Sequence, residues 1–206
     1  MLAIVDYGVG NLHSVSSAFR YVGADTVVTA DAGTLERADG IILPGVGAFP
    51  DAAESLAKTG LIPVIQAEAA RKPLLGICLG MQLLFTESRE LRPTPGLGLI
   101  PGVVDRIPTT EKLPQIGWNA LGVVNPCALT DGLPEGAYVY FVHSYMAFCE
   151  DRADVAAVTD YGTEVTAMVR RGFVYGCQFH PEKSGSVGLG IIDRFCGAVR
   201  DCRKAR

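Results

Sequence analysis

The chain has 206 residues, 49% of them hydrophobic, with 18 Lys and Arg against 22 Asp and Glu and a formal net charge of −4. That size predicts one domain, 1–206, with a full apolar core, and with no basic stripe before the last few residues no nucleic-acid partner is expected. No run approaches the roughly 18 apolar residues that span a bilayer, and no basic segment precedes the apolar start, so no membrane and no secretion signal are expected and the cytoplasm is the expected compartment.

"LAIV" (2–5) reads as a strand. "NLHSVSSAFRYVG" (11–23) places Leu12, Val15, Phe19 and Val22 at helical spacing, with Gly23 as a stop. Residues 25–29 and 40–43 read as further strands. Residues 61–72 read as a helix that tolerates Pro63 in its first turn. A strand over 73–77 follows, and helix resumes at Leu79. Short apolar strands between helices predict an α/β fold: an open, mostly parallel central sheet covered by helices on both faces. After the Gly- and Pro-punctuated stretch 92–102 the character changes. Strands are predicted over 103–107, 113–118, 137–143, 165–170 and 173–179, as hairpins that extend the sheet in antiparallel fashion. Ile191, Ile192, Phe195, Cys196 and Val199 share one face of a closing helix.

The six cysteines, Cys78, Cys127, Cys149, Cys177, Cys196 and Cys202, are scattered and include no C-x-x-C pair. No metal site is expected, nor any cofactor, and reduced thiols are the default. Cys177 and Cys196 sit inside apolar patterns and read as small buried hydrophobes. Cys78 is different. In "LLGICLGMQ" (74–82) it ends an apolar strand and stands between Gly76 and Gly80. The pattern G-x-Cys-x-G is the cysteine version of the nucleophile elbow, a sharp strand-to-helix turn that presents its central residue above the sheet. At such a turn side chains on the flanking residues would clash. The helix start favours a thiolate, and the Leu79 N–H points toward a developing oxyanion.

A cysteine nucleophile needs a base, and the chain offers three histidines. His13 falls early in the first helix. His143 ends the strand in "YVYFVHSY" and reads as structural. His180 stands in "VYGCQFHPEKS", where strand alternation would put Glu182 on its side and Pro181 would block a helix. A carboxylate so placed can fix the ring's orientation and tautomer. "LPGVGAF" (43–49) follows a strand. It reads either as an ordinary strand-to-helix turn or as a source of backbone N–H groups for an oxyanion. It is no dinucleotide fingerprint, because Pro50 occupies the third glycine position.

"PGVGAF", "GICLGMQ" and "FHPEKS", in this order, resemble the class I, triad-type glutamine amidotransferases, which have a flavodoxin-like core. The resemblance makes Cys78 the nucleophile, His180 the base and Glu182 the orienting carboxylate. "VDYGVGNLHSV" (5–15), "IGWN" (116–119) and "YFVHSY" (140–145) are similar to the glutaminase subunits of imidazole glycerol phosphate synthases within that family. It implies hydrolysis of glutamine, with ammonia passed to a cyclase partner of (β/α)₈ barrel fold in a heterodimer that serves histidine biosynthesis. It assigns Gly45, Val46, Gly47 and Leu79 to the oxyanion, and Gln82, Ser144 and Tyr145 to the amino-acid end of glutamine. Asn11, Trp118, Tyr140 and Lys183 become the partner interface and gate. No motif lies between about Thr86 and Leu113. Two alternatives stay open: another class I glutaminase, such as one feeding vitamin B6 synthesis, or a non-enzymatic regulator of this fold.

Overall fold

The structure is a computed structural model and describes residues 1–205. Its first half alternates strand and helix: β1 (Leu2–Val5), α1 (Leu12–Tyr21), β2 (Thr26–Thr29), α2 (Ala32–Arg37), β3 (Gly40–Gly45), α3 (Phe49–Thr59), α4 (Ile62–Ala69), β4 (Leu74–Cys78) and the single turn α5 (Leu79–Gln82). The second half is mostly strand: β5 (Phe85–Ser88), β6 (Thr94–Pro95), β7 (Ile100–Arg106), β8 (Gln115–Ala120), β9 (Gly122–Val123), β10 (Tyr138–His143), β11 (Tyr145–Cys149), β12 (Val155–Asp160), β13 (Glu164–Arg171) and β14 (Val174–Cys177). It closes on α6 (Gly185–Lys204).

An eight-stranded sheet in the order β2-β1-β3-β4-β14-β13-β12-β9 forms the centre. Pairing is parallel from β2 to β14 and antiparallel from β14 to β9. The strands are apolar on both faces because both are covered. Ile4, Ile42, Leu75 and Ile77 join α1 and α6 in one core cluster. Val5, Leu43 and Leu74 join α3 and α4 in the other. Phe19 of α1 and Phe195 of α6 are fully buried and meet edge to face at 6.2 Å. Each such aromatic contributes about 2–3 kcal/mol by burial.

The antiparallel extension comes from β13, β12 and β9. Strands β7, β8 and β10, expected to extend the same sheet, leave it: β10 pairs only with β8, and β7 lies between β11 and β5 in a separate sheet. Gly102 (φ +147) and Gly117 (φ +144) lie inside β7 and β8 and let these strands depart from a flat ladder. Helices α2 and α3 also lie outside the segments predicted from periodicity. The first has six residues and starts on Asp31, whose side chain accepts the Thr34 N–H. The second starts on Ala48 with no side-chain cap and Pro in its first turn.

The chain runs from β1 outward to β2, then back past β1 to β3 and β4. Ligands bind beyond the carboxyl ends of the strands at such a reversal. Gly45, Cys78 and the segment after Cys177 are those ends.

Candidate active site

Cys78 is the last residue of β4 and the residue that starts α5. Its backbone sits at φ 55, ψ −113, a conformation that costs a non-glycine residue of the order of 1–3 kcal/mol. The glycines around it leave no room for a side chain. A Cβ on Gly80 would lie 1.8 Å from the Leu43 carbonyl oxygen. One on Gly76 would lie 2.7 Å from Gly80 O and from the Met81 backbone. Gly45, the register partner of Cys78 on β3, is closed in as well: a Cβ there would lie 2.7 Å from Gly80 N and 2.8 Å from the Tyr7 hydroxyl. Three chain segments therefore meet in contact beneath the sulfur.

His180 approaches from β14. Its Nδ1 lies 2.7 Å from Glu182 Oε1, and the two side chains are 4% and 1% exposed. Strand alternation does not produce this pair. The strand ends at Cys177, and Pro181–Lys183 is a 3₁₀ turn, so Pro181 opens a helical turn rather than blocking one. Proline is at home there, since its missing N–H has no helical acceptor and its φ is already set. Burial drives the His180 pKa down, but the Cys78 sulfur and the Glu182 carboxylate beside the ring overcome this and raise it to about 9. A ring flanked by sulfur on one side and carboxylate on the other favours imidazolium. Glu182 Oε2 is buried and has no partner among the described residues.

A cleft of about 410 Å³ opens above these groups. Val46, Gly47, Cys78, Leu79, Gln82, Ser144, Tyr145, His180 and Lys183 all line it. Gly47 has φ +93 with open space around it, and Val46 is exposed. Gln82 is buried, and its Nε2 is committed to Tyr145 O and Gln178 Oε1, each at 3.0 Å. Gly45 lies beneath the cleft. Asn11 caps α1, accepting the Ser14 N–H at 3.1 Å. Trp118 and Tyr140 stand outside the cleft as register partners on β8 and β10, with ring centroids 6.0 Å apart.

Four site residues escaped the sequence reading. Gln178, inside the quoted "GCQFHPE", is fully buried with Nε2 3.9 Å from Cys78 Sγ. Tyr7, inside "VDYGVGN", donates to Pro44 O at 2.7 Å and pins the end of β3; burial and the nearby Cys78 raise its pKa. Glu90 lies in the stretch without motifs. It lines the cleft and accepts the Phe49 N–H at 2.8 Å, supplying from a distance the cap that α3 lacks, and burial raises its pKa. His143, read as structural, also lines the cleft. Its Nδ1 lies 2.7 Å from Tyr145 O, and burial lowers its pKa to about 4. A carbonyl only accepts, so Nδ1 carries the proton and Nε2 is the bare nitrogen. Nε2 is buried without a partner among the described residues.

The family described as glutamine amidotransferase class-I matches residues 3–196. The imidazole glycerol phosphate synthase subunit HisH of Bacillus thuringiensis (strain Al Hakam) is 47% identical, over 100% of this chain and 99% of its own. The subunit of the same name from Bacillus cereus (strain G9842) is 48% identical over the same shares. Among solved structures, a glutamine amidotransferase superposes with a TM-score of 0.76 at 19% identity, over 96% of this chain and 98% of that one. PurLQS from Thermotoga maritima gives 0.75 at 22% identity, over 95% and 97%. These two likenesses concern the fold.

Proposed function

The chain belongs to the class-I glutamine amidotransferase family, and on that premise we propose that Cys78, His180 and Glu182 are its working triad. It is a glutaminase that serves as a subunit of an imidazole glycerol phosphate synthase in histidine biosynthesis, beside a cyclase subunit. The observation that carries the assignment is the Cys78 sulfur on a strained turn, facing a His180 ring held 2.7 Å from a buried carboxylate.

The chemistry follows from that geometry. The Cys78 thiolate attacks the side-chain amide carbon of glutamine. The Leu79 N–H and an N–H of the 45–47 loop stabilise the oxyanion. His180, held as imidazolium, gives its proton to the departing nitrogen, and ammonia leaves a thioester on Cys78. Water then loses a proton to His180 and attacks the thioester, which releases glutamate and restores the thiolate. Gln82 and the backbone at Ser144 and Tyr145 hold the amino-acid end of glutamine. The partner has a (β/α)₈ barrel fold and docks over Asn11, Trp118, Tyr140 and Lys183. The whole of 1–206 acts as one glutaminase domain, and the pair works in the cytoplasm.

The test is product formation by the assembled synthase with Cys78→Ala. Glutamine-dependent synthesis should vanish while synthesis from added ammonium salt continues, because the cyclase site is untouched. Glutamine-dependent turnover near that of the wild type in Cys78→Ala overturns the assignment.

A further inference from the structure

Ser184 stands at the start of α6, where a serine hydroxyl ordinarily accepts an N–H of the first helical turn. It makes no such cap. Its Oγ instead donates to the His180 carbonyl at 2.6 Å and accepts the Tyr140 N–H at 3.0 Å. The His180 N–H also reaches over to Tyr140 O, at 3.0 Å. Ser184 is 1% exposed. Below it α6 presses so closely on the triad turn that a Cβ on Gly188 would lie 2.0 Å from Pro181 O. A 20-residue helix thus forgoes its side-chain cap so that one hydroxyl can bind backbone elsewhere. Local rules are broken in this way where a site demands it.

The strand it binds is the one that carries the outer aromatic face. Along β10, Val139, Phe141 and His143 are buried, while Tyr138 is exposed and Tyr140 half-buried beside Trp118. Tyr140 therefore has two roles in one residue. Its ring belongs to the face with Trp118, which is 52% exposed, and its peptide groups hold the triad turn.

We propose that Ser184 is a positioning residue: its hydroxyl fastens the His180 backbone to β10 and so makes the outer face of that strand a handle on the triad. The second half of the statement rests on the reading of this face as the cyclase contact. Without the hydroxyl, His180 O keeps the Lys183 N–H at 3.0 Å, but the Tyr140 N–H loses its acceptor and the strand is held to the turn by one bond fewer.

The experiment measures glutamine hydrolysis by the isolated chain and by the complex with its cyclase, in wild type, S184A and S184T. A misplaced base costs one to two orders of magnitude, so S184A should lower kcat in the complex about ten-fold or more. KM should stay within about three-fold, because substrate contacts are intact. The ratio of complexed to isolated rate should fall as well, and S184T, which keeps the hydroxyl, should recover most of both. If the threonine methyl does not fit, S184C, whose thiol donates weakly, should lie between wild type and S184A. Equal loss in the isolated and complexed states, with the ratio preserved, overturns the handle. A hydroxyl-bearing variant that folds yet performs no better than S184A overturns the positioning role. If wild type hydrolyses no glutamine in either state, the functional reading fails instead. The deciding readout is then alkylation of Cys78 by iodoacetamide, which needs only the Cys78–His180 pair. An unchanged rate in S184A overturns the proposal, and a slower one supports it.

Discussion

His180 Nδ1 and Glu182 Oε1 stand 2.7 Å apart across a single proline, folded together by the Pro181–Lys183 turn. The His180 pKa is raised from an ordinary 6.5 to about 9, the Cys78 sulfur and Glu182 overcoming the opposing effect of burial. The folded pKa lies above the unfolded one. The stability drawn from this group is therefore full below pH 6.5 and disappears as pH rises through about 9. In the proposed mechanism the proton donor for departing ammonia disappears over the same range. The alkaline limb of kcat/KM should fall near pH 9 in wild type and move toward 6.5 in Glu182→Gln, which keeps an acceptor but loses the charge. A pH–rate profile of both enzymes checks this, and coincident alkaline limbs would show that Glu182 does not hold the proton on the ring.

The backbone of Cys78 separates catalysis from stability. At φ 55, ψ −113, alanine inherits the strain of the cysteine, whereas glycine does not. Both Cys78→Ala and Cys78→Gly remove the proposed nucleophile and should be inactive. Cys78→Gly should nevertheless be the more stable of the two by about 1–2 kcal/mol, even after the extra unfolded-chain entropy of glycine. Denaturant unfolding of the two variants gives the difference directly, and the opposite order would mean that the turn is unstrained.

The same turn shows what the sequence makes legible. Gly76 and Gly80 flank Cys78 because backbone passes within contact of both, and that need appears as a short local pattern. The parallel core is legible because its strands are apolar on both faces. The pairing of His180 with Glu182 is legible from proximity, although a 3₁₀ turn rather than a strand creates it. Glu90 is not legible: its partner, the Phe49 N–H, lies 41 residues away, and no spacing rule joins them. Nor is the departure of β8 and β10 from the central sheet, since alternation reveals a strand but not its neighbour.

His143 should set the acid limit of stability. Burial lowers its pKa from 6.5 to about 4, so between those values the unfolded chain binds a proton that the folded chain refuses. Stability must fall as pH drops from 6.5 toward 4, by up to about 3 kcal/mol for this residue. His143→Asn keeps an N–H for Tyr145 O and has nothing to titrate. Its melting temperature should depend less on pH over that interval than that of wild type. Parallel curves would mean that His143 titrates normally in the fold.

Gln178 should tune the Cys78 sulfur. Tyr145 O accepts from both Gln82 Nε2 and His143 Nδ1. Gln82 must therefore present its NH₂ group, which also donates to Gln178 Oε1. That donation turns the Gln178 NH₂ toward Cys78 Sγ, 3.9 Å away. Sulfur is a weak acceptor, and a donor aimed at it holds the attacking atom in place. The groups of other elements that face this sulfur are His180, Tyr7 and, through His180, Glu182. Gln178→Leu leaves all three in place but removes the donor, so the rate of Cys78 alkylation should fall. An unchanged rate in a folded variant would assign Gln178 to packing alone.

Trp118 and Lys183 should divide affinity from activation. Trp118 is 52% exposed and stacked edge-on against Tyr140, a large rigid surface at the centre of an aromatic face with Ile116 and Tyr138 exposed beside it. Aromatic anchors of this kind cost about 2 kcal/mol or more when truncated at an interface, which is about thirty-fold in Kd. Lys183 is exposed, and a rim salt bridge contributes only about 0–1 kcal/mol. It nevertheless directly follows Glu182, its N–H is bonded to His180 O, and it lines the cleft. A partner carboxylate on its ammonium would pull on the triad turn itself. Trp118→Ala should therefore weaken cyclase binding strongly, and Lys183→Ala should leave binding nearly intact while reducing the stimulation of glutamine hydrolysis by cyclase ligand. Calorimetric titration and rates with and without that ligand measure both. If Lys183→Ala binds normally and is stimulated as fully as wild type, its place beside Glu182 has no part in the coupling.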